Sequence, residues 1–243
     1  MTAAPRRVAL ITGASRGIGR QLALDCASAG IAVAVNCVRS HDLAQQVVAD
    51  IVAAGSDALS VPADCADPTA VERMVTGVLE RWGRIDYLVN NAGVGVPISL
   101  DELGPTEFDT ILRTNLTSSF LVSRAVLPHM LEAGFGRVVF MSSLAARTGG
   151  LLSAAYAASK GGMEGLMHYY ATAFARQGIT ANAVAPALVA TEMVDSMPHP
   201  SPERLPMGRL GTPAEVWPAV RMLLDSAYLT GQTIHVNAGM YMT

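Results

Sequence analysis

The chain has 243 residues, 51% of them hydrophobic and 15% charged, which fits one large α/β domain with a core on both faces of a sheet and excludes a disordered chain. A net charge of −3 offers no basic field to collect nucleic acid or an anionic membrane, so neither partner is expected. The three cysteines, Cys26, Cys37 and Cys65, form no CxxC pair, so neither a disulfide framework nor a metal site is expected, and a reduced, cytoplasmic setting fits.

In chain order, Val8–Ile11 reads as a short buried strand. It is too short for a signal peptide or a membrane span. A glycine turn over 13–19 follows, then a helix over 18–29 that stops at Gly30. Ala32–Val35 is the second apolar run, and the amphipathic stretch 43–54 closes on Gly55 as a helix closes on its C-cap. Further strands are expected at 59–61, 87–89, 138–141, 181–184 and Thr233–Val236, with helices over 70–81, 108–131, 154–176 and 214–224. Thr106 with Asp109 resembles a capping box for the second of these helices, and Pro213 suits the first turn of the last one. Strands alternating with helices imply a single doubly wound (Rossmann) α/β domain over 1–243, with a parallel sheet and helices on both faces. Pro198, Pro200 and Pro202 forbid ordinary helix or central strand across 195–205, so a mobile, proline-rich substrate flap is expected at about 192–206.

Several constellations carry chemistry. In Thr12-Gly-Ala-Ser-Arg-Gly-Ile-Gly19 the glycines at 13, 17 and 19 follow a strand and open a helix. There the backbone can approach a pyrophosphate, whose charge meets free amides and the positive end of the helix dipole. A tight turn that binds nothing is the alternative. The end of the second strand, Asn36-Cys-Val-Arg-Ser40, carries no acid for a ribose 2′-hydroxyl, whereas Arg16, Arg39 and Ser40 could face a 2′-phosphate. This favours NADPH over NADH, unless the two arginines are solvated surface charges.

Tyr156 and Lys160 stand four apart in a helix and so share one face. Bringing a phenol from a pKa of ~10 toward neutrality takes about 4 kcal/mol, which an adjacent ammonium could supply, making Tyr156 a general acid. Met141-Ser-Ser-Leu144 and Asn90-Asn-Ala-Gly93 both follow strands, at the carboxyl edge where parallel sheets bind ligands. Asn115 lies within the helix after the second of them, where a solvent-facing residue is the plain alternative.

Taken together and in order, the glycine turn, Asp64, Asn90-Asn-Ala-Gly93, Asn115, Ser143, Tyr156-Ala-Ala-Ser-Lys160 and Pro186 with Thr191 resemble the short-chain dehydrogenase/reductases over essentially the whole chain. The resemblance implies that Ser143 hydrogen-bonds the substrate oxygen, Tyr156 passes the proton, Lys160 lowers the tyrosine pKa and holds the nicotinamide ribose, and Asn115 orders a relay water. It further implies cofactor contacts from Gly13, Ser15, Arg16, Gly17, Ile18, Gly19, Asn36, Arg39, Ser40, Asp64, Cys65, Asn91, Ala92, Gly93, Pro186, Val189 and Thr191, together with Tyr156 and Lys160. Asp64 would meet adenine, Asn91 the adjacent ribose, and Thr191 with the Val189 backbone the carboxamide.

Within that family the chain is most similar to the 3-oxoacyl-[acyl-carrier-protein] reductases, through Tyr156-Ala-Ala-Ser-Lys-Gly-Gly162, Gly208-Arg-Leu-Gly211 and the ending from Thr230 to Met242. This implies reduction of a 3-oxoacyl thioester, with acyl carrier protein as a candidate partner, by a homo-oligomer with the tetramer favoured. The alternatives are a free small ketone or alcohol as substrate, and an idle NADPH-binding protein. Ala187 and Ala238 stand where that group has glycine, and Gly134 and Gln177 where it places basic residues beside the site to hold its acidic carrier.

Overall fold

A computed structural model describes residues 6–195, 197 and 202–242. Strands and helices alternate as β1 (Val8–Ile11), α1 (Gly17–Ser28), β2 (Ala32–Val35), α2 (His41–Ala53), β3 (Ala58–Ser60), α3 (Pro68–Trp82), β4 (Tyr87–Asn90) and α4 (Pro105–Leu112). Then come α5 (Ser118–Glu132), β5 (Gly136–Met141), α6 (Ala145–Thr148), α7 (Ala154–Phe174), β6 (Ile179–Pro186), α8 (Glu192–Asp195), α9 (Trp217–Asp225) and β7 (Thr233–Val236). The seven strands form one sheet in the order β3-β2-β1-β4-β5-β6-β7, and every pairing is parallel. The chain reverses direction of winding between β1 and β4, so a crevice opens beyond the carboxyl ends of those strands.

Burial explains why the strands read as unbroken apolar runs. In β1, Val8 and Leu10 join a core with α3, α5 and α7, while Ala9 and Ile11 face α1, α2 and α9 on the other side. Both faces of the pleat are covered, so no polar alternation is permitted. Among the described residues no helix is long and apolar enough to cross a membrane.

Four expectations change. The 108–131 stretch is two helices, α4 and α5, joined by a wide π-helical turn over Arg113–Thr117, in which the Ser118 amide donates to the Arg113 carbonyl. Hydroxyls of Thr114, Ser118 and Ser119 bond back to carbonyls of the preceding turn, which loosens the regular ladder there. The capping box of Thr106 and Asp109 does not form: Pro105, its φ already helical, occupies the first turn behind Gly104. Within the flap, Glu192–Asp195 is helical and Pro202–Arg204 forms a 3₁₀ turn. Pro198 and Pro200 lie outside the described residues. Finally, Gly134 and Gln177 precede β5 and β6, at the edge of the sheet opposite Ser143. Six residues of strand at ~3.3 Å each separate them from the site in this chain, so they do not flank it.

Near the carboxyl terminus Ala238 has φ 53°, in the left-handed region, at the position where the resemblance expects glycine. The strain costs about 1–2 kcal/mol, of which the stiffer unfolded chain offsets about 0.4–1. Ala238→Gly is therefore expected to raise Tm by about 1–3 °C in a calorimetric scan, and a lowered Tm would refute the strain.

Candidate active site

The strand register brings four connections to one edge. Ile11 pairs with Val89, Asn90 with Phe140, and Met141 with Val184, so the segments after β1, β4, β5 and β6 emerge side by side. The glycine turn follows β1. Gly13 has φ 63°, and a Cβ there would stand 2.9 Å from Ala92 Cα. A Cβ on Gly19 would stand 2.3 Å from the Gly13 carbonyl oxygen, so the first turn of α1 lies directly on the strand end. Its Arg16 N-cap position contributes no side-chain cap and the first turn holds no acid, which leaves the amides free for an anion.

Thr12 and Asn91 staple this turn to the next one. The Thr12 hydroxyl accepts from the amides of Asn91 at 3.0 Å and Ala92 at 2.9 Å, and Asn91 Nδ2 donates to the carbonyls of Thr12 and Gly13. Asn36 and Cys65, expected to meet the cofactor, have their side chains beneath the turn instead. Asn36 is fully buried, its Oδ1 accepting from the Gly13 amide and the Cys65 thiol, its Nδ2 donating to the carbonyls of Val61 and Ala63. Burial pushes the Cys65 thiol up to about 12. Ser15 is buried, Arg39 and Asp64 are exposed, and Ser40 is half-buried. Arg16 forms an ion pair with Glu192 at 2.7 Å, spanning from the glycine turn to α8.

The catalytic candidates converge on the opposite wall. Ser153 caps α7 through the Tyr156 amide, and Tyr156 sits in the first turn, 7% exposed, hydrogen-bonded to Ser143. Burial raises the Tyr156 pKa and the bond to Ser143 partly opposes it. The expected lowering by Lys160 is therefore not seen in this state. Lys160 Nζ lies 5.7 Å from the tyrosine ring centre and donates to the Met141 carbonyl at 2.7 Å. Its own pKa is brought down to about 8 by burial. It is also the sole lysine of the sequence.

Asn115, wholly buried in the π-helical turn, is not solvent-facing. Its side chain accepts from the Val94 amide and donates to the Val94 carbonyl and to Ser159, while Ser159 donates to the Tyr156 carbonyl. Gly93 lies between these groups: a Cβ there would come within 3.2 Å of Asn115 Oδ1 and 3.5 Å of Lys160 Nζ. Thr12, Ser159 and Glu164 escaped the sequence reading. Thr12 opens the glycine-turn motif and Ser159 lies within Tyr156-Ala-Ala-Ser-Lys160, while Glu164 shares the helical face of Lys160 at i, i+4, which is the signal the sequence offers for it.

A cavity of about 380 Å³ joins the two walls. Ile18, Asn91, Gly93, Pro186, Val189 and Thr191 line its cofactor side, and Ser143, Tyr156 and Lys160 its floor. Its far wall is apolar, made by Leu144, Leu151, Leu152, Met193, Val194 and Met240.

Comparison with known proteins agrees with this geometry. The family model for short chain dehydrogenase matches residues 7–201. The 3-oxoacyl-[acyl-carrier-protein] reductase of Synechocystis sp. is 39% identical over 246 residues, covering 100% of both chains. The reductase of that name from Staphylococcus aureus (strain Mu50) is 39% identical over 96% of this chain and 98% of its own, and that of Escherichia coli K12 is 36% identical over 97% and 98%. The chain belongs to the short-chain dehydrogenase family.

Proposed function

We propose that this enzyme reduces a ketone to a secondary alcohol with NADPH, and that the ketone is a 3-oxoacyl thioester. The observation that carries the reading is the Tyr156–Ser143 hydrogen bond at the floor of an apolar cavity, with Lys160 buried one helical turn away. Relatives named as 3-oxoacyl-[acyl-carrier-protein] reductases, matched end to end, support the substrate class.

The residues present fit the dinucleotide. Gly13 and Gly19 let the turn pack backbone against backbone, with no room there for a Cβ, Gly93 brings the 93–94 segment close to Asn115 and Lys160, and the amides at the start of α1 are uncapped. Arg16, Arg39 and Ser40 supply donors for a 2′-phosphate, and the segment 36–40 that follows β2 carries no acid to repel it. When bound, NADPH supplies the hydride. The protein supplies the rest. Ser143 and Tyr156 hold the carbonyl oxygen between two hydroxyls, Tyr156 gives it a proton, and Lys160 provides a positive charge that favours the tyrosinate left behind. Asn115 holds the 93–94 segment against α7, keeping Gly93 beside Lys160. The apolar wall keeps water away and accepts an acyl chain.

A free small ketone is the second reading. It is favoured by the cavity lining, in which Lys160 is the only cation among the described residues, so any carrier or CoA phosphate would be held outside. Acyl carrier protein as partner, a homotetramer and a cytoplasmic setting belong to the first reading as expectations.

The test follows NADPH absorbance with a 3-oxoacyl thioester and with a panel of free ketones. The thioester is expected to give the larger kcat/KM, and no turnover with any thioester would overturn the substrate. In the same assay Arg16→Ala is expected to raise KM for NADPH by about 10-fold, one charge-assisted contact being worth ~1.5–3 kcal/mol in part offset by release of Glu192, and to leave KM for NADH unchanged. Equal effects on both cofactors would remove Arg16 from phosphate recognition.

A further inference from the structure

The carboxylate of Glu164 has no part in the chemistry above, yet it is 4% exposed and sits one turn beyond Lys160 on α7. Its Oε1 accepts from the Ser142 hydroxyl at 2.9 Å, and its Oε2 accepts from the Arg147 guanidinium at 2.7 Å. These two partners bracket Ser143. Ser142 continues β5, its amide donating to the Val184 carbonyl at 2.8 Å. Arg147 stands on α6, the short helix whose Ala145 amide donates to Ser143 Oγ at 3.1 Å. The segment carrying Ser143 is thus pinned at both ends to the helix carrying Tyr156 and Lys160.

Removing a carboxylate from water is expensive, and an apolar side chain at such a place is often as stable or more so. What an apolar residue could not do is grip two separate points of the Ser142–Arg147 segment. We propose that Glu164 is a positioning residue for the reduction: acting through Ser142 and Arg147, it fixes the Ser143 hydroxyl against the Tyr156 hydroxyl and holds α6 as a wall of the substrate cavity. Ala145 and Thr148 of α6 line that cavity, so the same grip sets its width. The inference rests on the reading that Ser143 and Tyr156 act on the ketone.

A double-mutant cycle separates the two. Kinetics of the full-length protein are measured for Glu164→Gln, Ser143→Ala and the double variant, with NADPH affinity read from cofactor fluorescence. Glu164→Gln is expected to lower kcat by about 10-fold while NADPH Kd stays within about 2-fold, and in the Ser143→Ala background to change kcat by less than about 2-fold. The same 10-fold loss in both backgrounds, or a lowered Tm with unchanged kcat per folded site, would make Glu164 a stabilising residue only and overturn the proposal. Should Glu164→Gln fold poorly, Arg147→Met breaks the half-exposed arm alone and is expected to show a smaller loss that also vanishes without Ser143. If Ser143→Ala itself leaves kcat unchanged, the functional reading falls and takes this inference with it.

Discussion

Tyr156→Phe is expected to lower kcat for ketone reduction by about 10²–10⁴-fold, the range that a positioned general acid contributes. The phenyl ring keeps the packing of Tyr156 against Ala155, Leu152 and Ile111, so neither fold nor NADPH affinity should follow the rate. Stopped-flow reduction with fluorescence titration of NADPH measures both, and a kcat within 10-fold of the parent would remove the tyrosine from proton transfer. The pH dependence has a definite sign. Burial raises Tyr156, so the acid stays protonated through neutrality, whereas Lys160, held to about 8, is the first group to leave its working form as pH rises. Activity of the protein is accordingly expected to fall on the alkaline side from about pH 8. Stability moves the other way. A lysine whose folded pKa of about 8 lies below its unfolded 10.5 weakens the fold while charged, and that penalty is relieved as pH climbs through this window.

Gly19→Ala should weaken cofactor binding strongly, raising Kd for NADPH by about 10- to 100-fold. Its Cβ would stand 2.3 Å from the Gly13 oxygen and 2.5 Å from Asn91 Nδ2, and the first of these is backbone with nowhere to go. The helix start must lift off the strand end, which breaks the bonds of Asn91 to Thr12 and Gly13 and costs about 1–3 kcal/mol of overpacking. Gly77→Ala in α3 is the matched control: nothing lies within 4 Å of its Cβ, and the gain in helix propensity is about 0.5–1 kcal/mol. Isothermal titration that finds unaltered NADPH affinity in Gly19→Ala would show that the turn does not cradle the cofactor.

How much of this was legible in the sequence depended on whether the signal was local. Buried parallel strands must be apolar on both faces, so all seven appeared as short runs, with ends misjudged by a residue or two at β3, β4, β5 and β6. The site's order along the chain was equally visible, because Ser143 and the glycine turn each follow a strand end. The π-helical turn at Asn115 was not. Its cause is a set of hydroxyl-to-carbonyl bonds that no apolar period records. The orientation of Asn36 was hidden for a similar reason: apart from Cys37 next to it, its partners Gly13, Val61, Ala63 and Cys65 come from the segments that follow β1 and β3, 23 to 29 residues away. The opposite placement of Gly134 and Gln177 needed the direction of β5 and β6, which motif spacing alone does not convey.

Lys160 has one further consequence. Sixteen of the seventeen cationic side chains are arginines, so the single ε-amine of this protein is the one buried beside Tyr156, and at about 8 it is far more nucleophilic near neutrality than a surface lysine. The guanidinium surface is blind to acylating and aldehyde reagents. Lysine-directed labelling of this chain, usually a scattershot method, therefore has one ε-amine to modify, at the reaction centre, and that site is shielded whenever the centre is filled.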